Sequence, residues 1–370
     1  MFIYQVVSCS NCGEGNMKAL RIKEFGKPMV LEDVPRPSPG YGQVLVRLSV
    51  TGVCHTDLHQ WKGADWPALT DIMRQTGTTV VGHEGVGVVE EVGPGVTRLR
   101  RGDRVGIPWM NYWCGGCEAC LSGYPYWCKN VKYTSAHVDG SYAEYALIHE
   151  VAAPIIPREL PDEQVAPMLC GGITAYGAVR KLVTVLRIPP GKPVAIIGAA
   201  GGLGHYAVQI AKAFGYKVIG IDVGAERVKF VESLGADYAV DATEAERFVK
   251  EKFDGVYASL VFAPKIKGYE LGLKILKSPF GSLVAIGLPA QAEGVIPITP
   301  LQSIFYNVSI IPSLVGVTHE FEELFKLAVE GKVKSHISRV ISCNPEEVMK
   351  LFEDLEKAKY SGRAVIRIRG

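Results

Sequence analysis

The sequence predicts an α/β protein in which a doubly wound parallel sheet is inserted into a split, β-rich domain. Three observations point there. Short strands with turn residues between them fill residues 17–107, and strand–helix alternation takes over beyond Ile173. The last strand then alternates like the first ones again. A chain of 370 residues also suits two units, each with its own core.

In order, Met17–Phe25, Gln43–Gly52 and Gly85–Gly93 read as strands punctuated by Pro35, Pro37, Pro39 and Gly40. Lys192–Gly198 is an apolar strand, followed by a glycine-rich turn and a helical pattern over Leu203–Phe214. Lys217–Asp222 is the next strand, with a helix in Ala225–Gly235 and a strand in Ala236–Val240. Gly255–Phe262, a helix over Lys265–Lys277 and Ser282–Leu288 repeat the theme. These strands are almost continuously apolar, as a sheet covered on both faces requires. A helix in Phe321–Gly331 and the strand Ala364–Arg369 remain, and the strand is expected to rejoin the first sheet. The expected division is therefore 1–172 and 316–370 for the β-rich domain and 173–315 for the parallel sheet. A cleft between the two would hold a small molecule.

Composition narrows the function. Forty basic residues against 38 acidic ones leave a net charge of +2. That balance argues against nucleic acid or an anionic membrane as partner. No apolar run approaches the roughly 18 residues of a membrane span, and Met1–Val7 lacks a basic flank and a cleavage site. A cytoplasmic location is the expectation, and there nine cysteines point to metal rather than disulfides.

Cys114, Cys117, Cys120 and Cys128 are spaced C-x2-C-x2-C-x7-C, with Gly115, Gly116 and Gly123 for tight turns. Four thiolates close a tetrahedral shell, so a zinc there would be structural. The spacing lacks the C-x2-C-x2-C-x3-C-P run usual for an iron–sulfur cluster. Cys54, His83 and Cys170 are a second candidate set, with three ligands and one open position. Taken singly, each reads as an ordinary core residue.

Their contexts decide. Gly82-His83-Glu84 opens GHE-x2-G-x5-G-x2-V, continued by Gly87, Gly93 and Val96. With Gly52–His59 (GVCHTDLH), Ala166–Ala178 (APMLCGGITAYGA) and the four-cysteine loop, this pattern resembles the zinc-containing medium-chain alcohol dehydrogenase family. The resemblance runs from Met17 to Gly370 and is strongest to the yeast-type, usually tetrameric, branch. It implies a GroES-like catalytic domain around a Rossmann domain, two zinc ions per chain, and a homotetramer.

The same resemblance implies the site. Cys54, His83 and Cys170 match the catalytic zinc ligands, and Glu84 matches a nearby carboxylate that can approach the metal. Asp57 looks like the partner that fixes the tautomer of the zinc-bound histidine. Thr56 and His59 match a proton relay. Zinc lowers the pKa of a bound alcohol toward neutrality, and the resulting alkoxide expels hydride to nicotinamide. Thr56 would pass the alcohol's proton on, and His59 would carry it to solvent, since imidazole titrates near neutrality. His55 is read as structural.

Gly201, Gly202, Leu203 and Gly204 sit in a strand–turn–helix fingerprint for a dinucleotide, with Ala199 where its first glycine usually stands. The following helix N-terminus suits a pyrophosphate. Asp222 ends the next strand, where an acid binds ribose hydroxyls and repels a 2′-phosphate, which favours NAD over NADP. Arg227 complicates this, because it could accept that phosphate if Asp222 turned away. By resemblance, Thr174 and Leu203 contact the nicotinamide and Arg363 approaches the pyrophosphate.

Trp109 and Trp66 match pocket tryptophans that narrow the site toward short-chain primary alcohols, giving an aldehyde or ketone. Ala68–Val81, Val315–Leu324 and Asp254–Glu270 depart from the family pattern, which leaves room for larger alcohols, ketones or polyols. A non-catalytic binding protein that kept the fold is the alternative of another class. Residues 1–16, with Cys9 and Cys12, stand apart from the pattern as a native extension or a start misassigned ahead of Met17. Cys343 is read as inert.

Overall fold

In the strand Pro193–Ile197, Val194 and Ile196 enter one hydrophobic core while Ala195 and Ile197 enter another. Successive side chains of a strand point to opposite faces, so this sheet is buried on both sides. The computed structural model describes residues 15–290, 293–296 and 298–368. The leader pair Cys9 and Cys12 lies outside them.

The sheet has six strands, ordered Tyr238–Asp241, Lys217–Asp222, Pro193–Ile197, Ala258–Val261, Ser282–Ala285 and Ser309–Pro312. Every neighbouring pair is parallel. Counted along the chain, the order is 3-2-1-4-5-6, the doubly wound arrangement whose direction reverses beside its first strand. The glycine-rich turn lies at that reversal. Gly198 has φ +81°, and a Cβ on Gly204 would fall 2.0 Å from the Gly198 carbonyl oxygen. Only a residue without a side chain lets the helix Gly204–Ala213 start so close to the strand. This helix begins one residue later than the pattern suggests, since Leu203 serves as its N-cap.

The second sheet runs Ile337–Ser342, Arg363–Arg367, Gln43–Gly52, Gly85–Val92 and Arg104–Ile107, and Tyr145–His149 also pairs with Gln43–Gly52. Its last strand in sequence, Arg363–Arg367, lies antiparallel to Gln43–Gly52. The chain thus returns to the sheet it left. The helix Thr318–Val329, in the segment expected to belong with that strand, buries Phe321, Leu324 and Phe325 in the core that also holds Val194 and Ile196.

The departing stretch Ala68–Val81 overlaps a helix, Pro67–Thr76. Pro67 occupies its first turn and Gly77 its left-handed end, the usual asymmetry of helix termini. Both signals are present in the sequence, but the alternating strands on either side obscure them.

Gly204→Ala is expected to destabilise the protein by about 1–3 kcal/mol through overpacking against backbone. Urea unfolding checks this; unchanged stability would mean that the turn relaxes freely.

Candidate functional site

Cys54 and Cys170 each stand at the N-cap of a helix, His55–Lys62 and Gly171–Thr184 respectively. Helix N-termini favour negative charge, which suits thiolates. His83 and Glu84 lead directly into the strand Gly85–Val92. The ligand atoms of these four residues lie within 4.8 Å of one another, and all four side chains are buried. The two sulfurs are 3.8 Å apart. Tetrahedral zinc with Zn–S near 2.3 Å would place two sulfurs about 3.8 Å apart.

The His83 side chain has no solvent exposure, yet its Nε2 has no hydrogen-bond partner. A buried polar nitrogen without a partner is costly. Its position within 4.8 Å of the two thiols suits a metal ion, so the residues present fit zinc. On the other side of the ring, Asp57 Oδ1 lies 3.0 Å from His83 Nδ1, although too poorly aligned to count as a hydrogen bond. Asp57 Oδ2 accepts from the Cys54 backbone N–H at 2.9 Å and from the Tyr142 hydroxyl at 3.1 Å. One carboxylate therefore orients both a cysteine and a histidine. Burial pulls the His83 pKa down, but Asp57 and Cys54 outweigh it and hold the imidazole well above its ordinary value. The thiol of Cys170, hydrogen-bonded to Cys54, draws the Cys54 pKa down, and its own rises.

Glu84 pairs with Arg363, and both are buried. Burial pushes Glu84 up to about 8 despite the guanidinium beside it. A Cβ on Gly52 would fall 1.9 Å from Glu84 Oε2, so the strand end must be glycine to admit this acid. Arg363 Nη1 also lies 3.0 Å from where a Cβ on Gly202 would stand, so the same arginine touches the glycine-rich turn. Thr174 donates its backbone N–H to the Cys170 carbonyl at 3.0 Å, one turn into the same helix.

At the next strand end, Asp222 Oδ2 accepts from the Ala200 N–H at 2.7 Å. Its Oδ1 accepts from Arg227 Nε at 2.7 Å. Both oxygens are thus engaged, by the turn and by the arginine that the sequence sets against it.

The proton-carrying candidates Thr56 and His59 share the helix His55–Lys62. His59 Nδ1 lies 2.6 Å from Asp65 Oδ2, and the His59 ring packs on Trp66 at 4.2 Å and on His55 at 5.0 Å. Burial draws His55 down to about 4, so it stays neutral. Thr56 lies in the first turn of the same helix, three residues before His59. Trp109 meets His83 edge-on at 4.9 Å and stacks on Tyr133 at 5.1 Å. It lines a small apolar pocket with Met110, Leu169, Ile173, Val315 and Phe321.

Cys114, Cys117, Cys120 and Cys128 also lie within 4.8 Å of one another, with Cys117–Cys120 and Cys114–Cys128 sulfur distances of 3.5 Å. None is in a disulfide. The Cys128 sulfur accepts from the Cys114 and Asn130 backbone N–H groups at 3.4 and 3.3 Å. Gly115 and Gly123 adopt the left-handed backbone expected of them, at φ +71° and +84°.

Sequence reasoning missed Tyr142 and Asp65. Tyr142 is 85 residues from its partner Asp57, and Asp65 looks like any acid in a turn. No local signal marks either.

Residues 40–158 match the alcohol dehydrogenase GroES-like domain, and residues 202–330 match the zinc-binding dehydrogenase family. An alcohol dehydrogenase of Geobacillus stearothermophilus is 40% identical over 95% of this chain and 100% of its own length. An NAD-dependent alcohol dehydrogenase of Sulfolobus acidocaldarius is 36% identical, again over 95% and 100%. The crystal structure of the alcohol dehydrogenase from Aeropyrum pernix superposes with a TM-score of 0.83, at 34% identity, over 95% of this chain and 100% of that one.

Arg363→Met would leave Glu84 buried and unpaired, and is expected to cost about 3–5 kcal/mol in urea unfolding. Adding Glu84→Gln should recover part of that loss; additive losses would show that the two do not act as a pair.

Proposed function

Because the chain belongs to the zinc-containing medium-chain alcohol dehydrogenase family, we propose that this enzyme transfers hydride reversibly between a short-chain primary alcohol and NAD. The observation that carries the reading is the buried, unpartnered His83 Nε2 set among two thiols. Cys54, His83 and Cys170 would hold a catalytic zinc, and the four-cysteine loop a structural one. Zinc held by three ligands acts as a Lewis acid that brings an alcohol's pKa toward neutrality, and NAD takes up the hydride.

The chain's own residues supply the rest. Asp57, anchored by Tyr142, sets the His83 tautomer and the Cys54 backbone, so two ligands are placed by one group. The Thr56 hydroxyl takes the substrate's proton and gives one onward, and His59 carries it toward solvent. Trp109 and the apolar residues around it exclude water from the reacting centre and leave little room beyond a short chain. Trp66 narrows the approach on the His59 side.

Asp222 would hold the adenosine ribose hydroxyls, in competition with its pairing to Arg227. The anionic Asp222 disfavours a 2′-phosphate, which supports NAD over NADP, as does the NAD-dependent relative. The N-terminus of Gly204–Ala213, together with Arg363, would hold the pyrophosphate. Thr174 and Leu203 would hold the nicotinamide. Assembly as a homotetramer in the cytoplasm completes the reading. Among the described residues no helix is long and apolar enough to cross a membrane.

Native protein is expected to carry two zinc ions per chain by elemental analysis. Cys54→Ala should keep one and lose alcohol-dependent NADH formation, and full activity in that variant would sink the mechanism. Cys117→Ser should likewise lose one zinc, but with a lowered unfolding temperature. In a separate test, Asp222→Gly should raise kcat/KM for NADP and lower it for NAD, each by about tenfold or more. An unchanged NAD-to-NADP ratio would remove Asp222 from cofactor recognition.

A further inference from the structure

We propose that Asp65 is a positioning residue of the proton relay. Its carboxylate holds the Nδ1–H of His59, so that Nε2 is the nitrogen left open to take the proton that Thr56 passes on. The inference rests on the Thr56–His59 relay read above and adds the group that aims it.

A neutral imidazole carries a proton on one nitrogen and a lone pair on the other, and a neighbour decides which. Here the neighbour is Asp65, whose Oδ2 lies 2.6 Å from His59 Nδ1. A carboxylate accepts only, so Nδ1 must donate. The ring cannot easily turn away, since Trp66 packs on it at 4.2 Å and His55 at 5.0 Å.

The placement also suits charge. The His59 side chain is 10% exposed and that of Asp65 24%, so the pair spans the step from the interior to water. When Nε2 takes a proton, an imidazolium forms on a nearly buried ring, and the adjacent carboxylate compensates it. Nε2 then gives that proton to water while Nδ1 keeps its own against Asp65, so the starting tautomer returns and Asp65 ends the cycle unprotonated.

The charged and titratable groups around the pair are few. Lys62, on the same helix, lies 3.9 Å from Asp65. Lys62 also pairs with Glu356, at the end of the helix Pro345–Glu356. His55 is neutral. Lys62 therefore faces Asp65 with the opposite charge, while Glu356 balances Lys62.

The test measures single-turnover NADH formation, with ethanol and saturating NAD, from pH 6 to 9.5, in Asp65→Asn, Asp65→Glu and His59→Gln. Asp65→Asn is expected to slow the turnover by about tenfold near pH 7, with the deficit closing at high pH, where hydroxide removes the proton directly. Added imidazole buffer should restore much of the rate, Asp65→Glu should retain most of it, and Asp65→Asn/His59→Gln should be no slower than His59→Gln alone. A merely structural role would slow Asp65→Asn equally at every pH without rescue by buffer, and that result would overturn the proposal. So would a normal Asp65→Asn profile beside an impaired His59→Gln. If His59→Gln itself shows a normal profile, the relay reading fails first, and the role of Asp65 fails with it.

Discussion

The site depends on one buried carboxylate. Asp57 is fully buried and faces three groups, the Cys54 backbone nearby in sequence and, from distant parts of the chain, the Tyr142 hydroxyl and the His83 ring. An acid removed from water is tolerated only when such partners surround it. Each partner is in turn held where Asp57 needs it, so the start of a helix, the approach to a strand and a loop are fixed together. Removing the acid would free the histidine to rotate and leave the Tyr142 hydroxyl buried without an acceptor. The ligand geometry is thus a consequence of how this charge is accommodated.

A second buried pair extends the same logic toward the glycine-rich turn. Glu84 sits beside the thiols, and Arg363, at the start of the returning strand, pairs with it while touching Gly202 in the glycine-rich turn. A residue of the β-rich sheet therefore also contacts the glycine-rich turn of the parallel-sheet unit. The glycines at 52, 198 and 204 serve close approach, the first toward the acid, the second toward Ala263 and the third between strand and helix.

Much of this was legible in the sequence. Donor residues announce themselves by type, and the four-cysteine loop brings its ligands together within one short segment. The parallel sheet was visible because strands covered on both faces must be apolar throughout. Cys54, His83 and Cys170 are different, being scattered over more than a hundred residues, and only their flanking motifs tie them together. Tyr142 and Asp65 escaped because their roles exist only after folding: a tyrosine is ordinary core until an acid lies opposite it. The helix Pro67–Thr76 was hidden for another reason, since its capping proline and glycine resemble the punctuation between strands.

Zinc-edge anomalous diffraction from crystals of the native protein reads the metal centre most directly. Two peaks per chain are expected, one among Cys54, His83 and Cys170 and one among the four loop cysteines. A peak in the loop alone, with Cys54 and Cys170 joined as a disulfide, would contradict a metal-dependent dehydrogenase site.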